Sequence, residues 1–439
     1  MNLGRIIFWS IVVALGGFLF GFDTAVISGA TKAIQSEWSL NNVMLGQMVA
    51  MALYGTIVGA LFGGIPSDYY GRKKILLWIG ILYLISAVGS ALAPDIYTLM
   101  LFRFIGGLGV GASSVAAPVY IAEISPAHLR GRLTAVFQFN LVLGILIAYF
   151  SNYMIGTGAD TWRTMLGVEA VPALLFIIGM FIVPESPRWL VVTKEDEGAA
   201  LTVLNQMDPG TAQQALQEIR NTNVTSSISF LEVFKGRYNF PLLLAFLFAF
   251  FNQMSGINAV IYYAPLIFES TGMAESDSLL STVGIGVINL IFTMLGLLFI
   301  DLFGRRTLMY IGSIGYIVSL GAVAYAFFSG STTGYAVPVW LFVFIASHAI
   351  GQGACIWVFI SEIFPNEVRG SGMAFGSGTH WVFAALIAAI FPYFNELLGG
   401  GIVFAFFSFM MILQLLYVWR MMPETKGVSL EDLEQRLAR

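Results

Sequence analysis

Charge is scarce in this chain. Asp, Glu, Lys and Arg make up only 10% of its 439 residues, against 58% hydrophobic residues and a mean hydropathy of +0.82. A water-soluble domain needs a charged surface, so that class is excluded. Cysteine is almost missing. Cys355 alone rules out an internal disulfide and any cysteine-based zinc cluster. There is no nucleotide-binding loop, metal-ligand cluster or nucleophile–base pair in a credible context, so the chain reads as no enzyme, with no metal and no cofactor. The apolar runs lack strand-like alternation and are too long for a closed barrel. No small-residue cleavage signal follows Arg5, so Ile6 to Ile27 reads as a first membrane helix rather than a signal peptide.

What is present is a succession of apolar runs near the ~20 residues that cross a bilayer. Twelve are expected, at 8–29, 44–66, 75–93, 99–120, 133–155, 165–183, 239–262, 279–300, 307–328, 337–360, 372–393 and 401–421. The gap 184–238 is the only long polar stretch. Ala199, Leu201, Leu204 and Leu216 recur among charges there at helical spacing, which predicts short helices on the cytoplasmic face joining a bundle at 1–183 to one at 239–421. A tail, 422–439, follows. Of 21 Lys and Arg residues, all but Lys32, Arg103 and Arg163 fall in loops and tails of one side, which predicts cytoplasmic termini. The sequon Asn223-Val-Thr225 then lies on the cytoplasmic side and is not expected to be glycosylated.

Short charged motifs repeat between the runs. EISPAHLRG at Glu123–Gly131 returns as EIFPNEVRG at Glu362–Gly370, 239 residues on. The same offset relates Pro184-Glu185 to Pro423-Glu424, and DYYGRKK at Asp68 returns as DLFGRR at Asp301, 233 residues on. Two fused copies of one membrane unit account for all three pairs, which points to a transporter.

Asp23 and Arg103 are the ionisable residues furthest out of place. A buried charge is costly unless paired, so the two are expected to face each other. Such a pair can be a proton switch, closed when Asp23 is ionised and released when it is protonated, or a static tie between helices. Glu169 is embedded as well, with no obvious partner.

The remaining embedded polar residues are neutral: Gln138 and Asn140 in the fifth run, Asn252, Gln253 and Asn258 in the seventh, and Asn289 in the eighth. Amides donate and accept, as sugar hydroxyls do, and Trp357 and Trp381 offer flat faces for a pyranose ring. The alternative role for these amides is helix-to-helix glue. Gln253 and Asn258 are five apart and share a ligand more easily if the helix unwinds near Ser255-Gly256; Pro265 suggests a second break. His380 is placed to line the cavity, and His348 reads as packed among Ser347 and Gly351.

The repeated loop charges read as an intracellular gate: Asp68, Arg72, Glu123, Arg130, Glu185 and Arg188 in the first copy, and Asp301, Arg305, Glu362, Arg369 and Glu424 in the second. Mutual salt bridges would lock the halves together. Topology marking by positive charge explains the Arg and Lys residues but not the carboxylates beside them.

DYYGRKK, RFIGGLGVG, YIAEISPAHLRGR, PESPRWL, NQMSGINAVIYYAP, DLFGRR, SEIFPNEVRG and PETKG together resemble the sugar porter family of the major facilitator superfamily, across roughly 6–430. The resemblance implies an all-α membrane protein with the major facilitator fold, twelve transmembrane helices in two pseudo-symmetric six-helix bundles. It implies sugar contacts at Gln138, Gln253, Asn258, Asn289 and Trp357, with Asn252 in place of the first Gln of the commoner pair. Tyr262 and Tyr263 match aromatic residues that close the extracellular side, and Asp23 matches the aspartate of proton symporters. The implied partners are a monosaccharide, a proton and the lipid bilayer, with no nucleic acid and no obligate protein partner; the implied place is a bacterial inner membrane. Ile145 and His380 depart from the family pattern in the pocket, which counts against xylose specifically and leaves glucose, galactose, another hexose or an inositol open. A uniporter of the same fold and, further off, a sugar sensor are the alternatives.

Overall fold

The computed structural model describes residues 2–126, 129–221, 233–234, 236–332, 334–365, 367–428 and 433. The sequon at Asn223 and most of the tail lie outside them. The described residues form helices: α1 (Leu3–Glu37), α2 (Asn42–Phe62), α3 (Gly64–Tyr70), α4 (Arg72–Ala91), α5 (Ile96–Ile124), α6 (Arg130–Ile155), α7 (Thr161–Gly167), α8 (Ala170–Ile182), α9 (Pro187–Val192), α10 (Glu197–Met207), α11 (Ala212–Asn221), α12 (Asn239–Met254), α13 (Ile257–Glu269), α14 (Glu275–Phe303), α15 (Arg305–Ser329), α16 (Ala336–His348), α17 (Ala354–Glu362) and α18 (Arg369–Arg420). A π-helical turn, Ala349–Gly353, joins α16 to α17.

Among the described residues, eleven helical stretches are long and apolar enough to span a membrane. The last, α18, holds two spans, because Gly399 (φ 79°, ψ 155°) breaks its 52 residues in the middle. The twelve expected spans are therefore present, in a multi-pass membrane protein. Phe62, Trp78, Phe181 and Leu298 stand exposed on them, as lipid-facing side chains do.

Contacts divide the chain into two compact units. Unit 1 comprises Met1–Val26, Met51–Ala148 and Trp162–Thr225; unit 2 comprises Ile27–Ala50, Tyr149–Thr161 and Ser226–Arg439.

In unit 1, α2 and α5 meet through small residues. A Cβ on Gly55 would come within 2.1 Å of the Phe104 carbonyl oxygen, and one on Gly59 within 2.3 Å of that of Leu108. From the other side, Gly107 and Gly111 approach the Ala52 and Thr56 carbonyls equally closely. Lipid gives helices no hydrophobic reason to associate, so backbone-to-backbone packing of this kind supplies the attraction.

The linker forms three short helices around a core of its own: Trp189, Leu190, Ala200, Val203, Leu204, Ala212 and Leu216. Of the predicted positions, Leu204 and Leu216 lie in this core and Ala199 and Leu201 pack against it. Ala200 and Val203 are buried there, whereas Ala199 and Leu201 are only half-buried, because the inward face turns toward Trp189 and Leu190 of α9.

Unit 2 carries the break expected at Ser255-Gly256 but not the second one. Gly256 is left-handed (φ 80°), and α12 ends there. Pro265 lies inside α13 without interrupting it. Proline removes the N–H that would bond the carbonyl four residues earlier, here Ile261. The Tyr149 hydroxyl donates to that carbonyl at 2.8 Å and fills the gap. The same device recurs in α18, where Tyr263 donates at 2.7 Å to Ala388, four residues before Pro392. A helix breaker is tolerated in a span when a neighbour re-satisfies the backbone in this way.

Candidate functional site: a buried charge cluster and an amide–aromatic cluster

In unit 1, α1 and α5 bring Asp23 and Arg103 together. Arg103 Nη1 donates to Asp23 Oδ1 at 2.6 Å and Nη2 to the Asp23 carbonyl at 3.1 Å; each side chain is 1% exposed. Gly106 makes room for them, since a Cβ there would stand 2.4 Å from Ser86 Oγ and 3.3 Å from Asp23 Oδ1. Glu169, at the head of α8, is equally buried and lies within electrostatic range of Asp23 and Arg103, with its Oε1 unpartnered among the described residues. The sequence left Glu169 without a partner, and nothing in its local context could have named one. Two buried carboxyls beside one guanidinium balance in charge when one of them carries a proton, since like charges held together out of water are costly.

The loop charges form the same arrangement twice, once in each unit. In unit 1, Arg72 forks onto Glu123 at 3.1 Å through both Nε and Nη2, and bonds Asp68 at 2.9 Å. In unit 2, Arg305 forks onto Glu362 at 2.7 and 3.1 Å and reaches Asp301 at 3.3 Å. The two carboxylates from the Pro-Glu motifs cap helices. Glu185 accepts from the backbone N–H of Lys73 at 3.1 Å, and Glu424 from those of Arg305 and Arg306 at 2.9 and 3.0 Å. A carboxylate at a helix N-terminus satisfies orphan donors and meets the positive end of the dipole. Burial pushes the Glu185 carboxyl up from its usual range, against the N–H donors of Ser186, Lys73 and Arg72.

Gly71 (φ 99°) and Gly304 (φ 85°) permit this approach, since a Cβ would stand 2.4 and 2.5 Å from the capping carboxylates. That is the structural content of the repeated Gly-Arg and Pro-Glu motifs. Of the other expected gate residues, Arg130 donates to the Ala122 carbonyl at 3.1 Å. Arg188 is exposed, and Arg369 has Nε and Nη2 buried without a partner among the described residues.

The amide cluster lies in unit 2, at the broken helix. Gln253 lies in the last turn of α12 and Asn258 in the first turn of α13. Because Gly256 turns the chain between them, Asn258 Nδ2 donates to Gln253 Oε1 at 2.7 Å. On a continuous helix, side chains five apart point about 140° away from each other. A Cβ on Gly256 would meet the Phe407 ring at 2.5 Å, so packing as well as φ demands glycine there. Gln253 Nε2 also bonds Asn252 Oδ1 at 2.9 Å, and lies 3.2 and 3.3 Å from the two ring nitrogens of His380. His380 in turn packs against Trp357 (5.0 Å between centroids) and edge-on against Trp381 (4.8 Å).

Asn289 on α14 is half-buried and accepts from Thr293 at 3.2 Å. Tyr262 and Tyr263 are buried, the latter stacked on Phe391. Gln138 is half-buried on α6 of unit 1. Asn140 donates to the Val136 carbonyl of its own helix at 2.9 Å and so serves its own backbone.

The family model described as "Sugar (and other) transporter" matches residues 9–437. The D-xylose-proton symporter of Escherichia coli (strain K12) is 35% identical, over 97% of this chain and 94% of its own length. The glucose transport protein of Synechocystis sp. is also 35% identical, over 98% of this chain and 97% of its own. Among solved structures, the inward-open conformation of the E. coli xylose transporter matches at a TM-score of 0.86 and 34% identity, covering 97% of this chain and 98% of that one.

Proposed function

This chain belongs to the Sugar (and other) transporter family, and from that premise we propose that it takes up a monosaccharide together with a proton by alternating access. The observation that carries the reading is the cluster at the broken helix: Gln253, Asn252 and Asn258 hydrogen-bonded across Gly256, with His380, Trp357 and Trp381 beside them. Amides for hydroxyls and indole faces for ring C–H surfaces are what a polyol site requires. Asn289 and Gln138 complete the sugar contacts in this reading.

Asp23, Arg103 and Glu169 carry the proton. Protonating the cluster once more neutralises both carboxyls and leaves Arg103 without a counter-charge, which favours rearrangement of α1 against α5. The moving bodies are the bundles at 1–183 and 239–421, joined by 184–238. Tyr262 and Tyr263 close the extracellular side, supported by Lys32 with Glu269 and Glu275 at 2.7 and 2.8 Å and by Asn42 with Glu396 at 2.6 Å. The paired clusters around Arg72 and Arg305 gate the intracellular side. Both termini lie in the cytoplasm and the membrane is a bacterial inner membrane, as the one-sided Lys and Arg distribution favours.

The test is uptake of a panel of labelled monosaccharides into proteoliposomes, with and without an inward proton gradient. One sugar is expected to accumulate above equilibrium, and Asp23→Asn is expected to abolish accumulation while exchange survives. Equal final levels with and without the gradient would make the protein a uniporter; transport of no sugar would remove the substrate reading.

A further inference from the structure

Beside the broken helix, unit 2 holds a second buried polar chain. Tyr316 and Ser313 on α15, His348 at the end of α16, Gln352 in the π-helical turn and Gln414 on α18 are linked end to end. Ser313 Oγ donates to the Met309 carbonyl at 2.7 Å, and Gln414 Nε2 donates to Ser313 Oγ at 2.8 Å. Gln352 Nε2 donates to Gln414 Oε1, and Tyr316 Oη donates to Gln352 Oε1 at 3.1 Å. His348 Nδ1 stands 2.7 Å from Tyr316 Oη. Ser313, Tyr316, Gln352 and Gln414 are completely buried.

The polarity of this chain follows from its closed end. A backbone carbonyl only accepts, so Ser313 donates to it and accepts from Gln414. The two amides are then oriented in turn, and the single Tyr316 hydrogen goes to Gln352. Tyr316 Oη is left to accept from His348, so the neutral imidazole carries its proton on Nδ1 and its lone pair on Nε2.

The ring's hydrogen bond among the described residues runs through Nδ1, and His348 is half-buried rather than sealed in. The Cδ2 edge of the ring, next to Nε2, lies 3.5 Å from where a Cβ of Gly353 would stand, one helical turn before Trp357. His380 is within electrostatic range. Packing of His348 among Ser347 and Gly351, as read from the sequence, accounts for neither the directed chain behind it nor the acceptor in front.

The arrangement also has a counterpart in the first half. Tyr316 stands 233 residues after Tyr83, the offset of the DYYGRKK and DLFGRR motifs. Tyr83 lies beside the carboxyls of Asp23 and Glu169. The place used for charge in unit 1 is occupied by a neutral, directed chain in unit 2.

We propose that His348 is a sugar-selecting residue, whose Nε2 accepts a hydrogen bond from one hydroxyl of the monosaccharide bound against Gln253, His380 and Trp357, with Tyr316 and the amides behind it holding the tautomer. This rests on the sugar-site reading above. The experiment is equilibrium binding by calorimetry to the purified full-length protein, with D-xylose, D-glucose, D-galactose, an inositol and the monodeoxy forms of whichever binds.

His348→Leu is expected to weaken the parent sugar about three- to tenfold, the usual worth of one hydrogen bond. One deoxy analogue, lacking the hydroxyl in question, should bind unmodified protein and variant alike. Tyr316→Phe should weaken the parent sugar less and spare the same analogue. His348→Gln, which restores an acceptor, should recover part of the loss and reads the same contrast if His348→Leu does not fold. An equal loss for the parent and every deoxy analogue, or no loss at all, overturns the role of His348. Failure of every one of these sugars to bind unmodified protein overturns the sugar-site reading instead.

Discussion

Removing both carboxyls beside Arg103 should cost far more than removing either one. Asp23, Arg103 and Glu169 are each 1% exposed, and two carboxyls share one guanidinium. In Glu169→Gln the Asp23–Arg103 ion pair remains and a neutral amide replaces the second carboxyl, so the expected cost is about 1 kcal/mol or less. In Asp23→Asn, Glu169 supplies the carboxylate for Arg103, so charge still balances and the cost is again about 1 kcal/mol. In Asp23→Asn/Glu169→Gln no anion remains, and a buried guanidinium without a counter-charge costs about 3–5 kcal/mol. The non-additive part is then about 1–3 kcal/mol, within the range for residues sharing one network. Thermal midpoints of the purified proteins in one detergent at pH 7 read the four corners of the cycle. Adding Arg103→Leu to the double variant should recover stability, since nothing charged is then left buried. A double variant that falls only by the sum of the singles would show that the carboxyls do not substitute for one another, and the shared-proton account would be wrong.

Gly256→Ala should cost about 2–5 kcal/mol, from a left-handed backbone plus overlap with Phe407, and should abolish sugar binding in a calorimetric titration; a wild-type affinity would detach the helix break from the site. Gly304→Ala should lower the thermal midpoint and expel Glu424 from the α15 cap, and a Glu424→Gln change made afterwards should then cost little further, against about 1 kcal/mol in the parent. Tyr149→Phe should cost about 1–3 kcal/mol by orphaning the Ile261 carbonyl, and less in a Pro265→Ala background, where the alanine N–H closes the helix; equal costs in both backgrounds would refute the pairing.

The membrane class, the twelve spans and the repeat were legible because they depend on local properties. Apolar length sets whether a segment crosses a bilayer, and a fused duplicate keeps its motifs at a constant offset. The Asp23–Arg103 pairing was legible for a related reason: two isolated charges in apolar runs have few other ways to be satisfied. Gly256 was readable as a break because Ser-Gly interrupts an otherwise continuous span.

Partners that depend on helix rotation and depth were not readable. Glu169 reaches Asp23 only once α8 is turned against α1, and no spacing along the chain encodes that angle. Pro265 looked like a break because its missing N–H is a local fact, whereas Tyr149, which repairs the loss, stands 116 residues earlier. His348 looked like packing until the π-helical turn aligned Gln352 with Gln414 and Tyr316. By itself the sequence determined which segments enter the membrane, where the copies begin and which residues are too polar for their surroundings. Only the tertiary structure decided how each is satisfied, because a buried polar group takes its partner from whichever helix faces it, and that choice belongs to the packing of all the helices together.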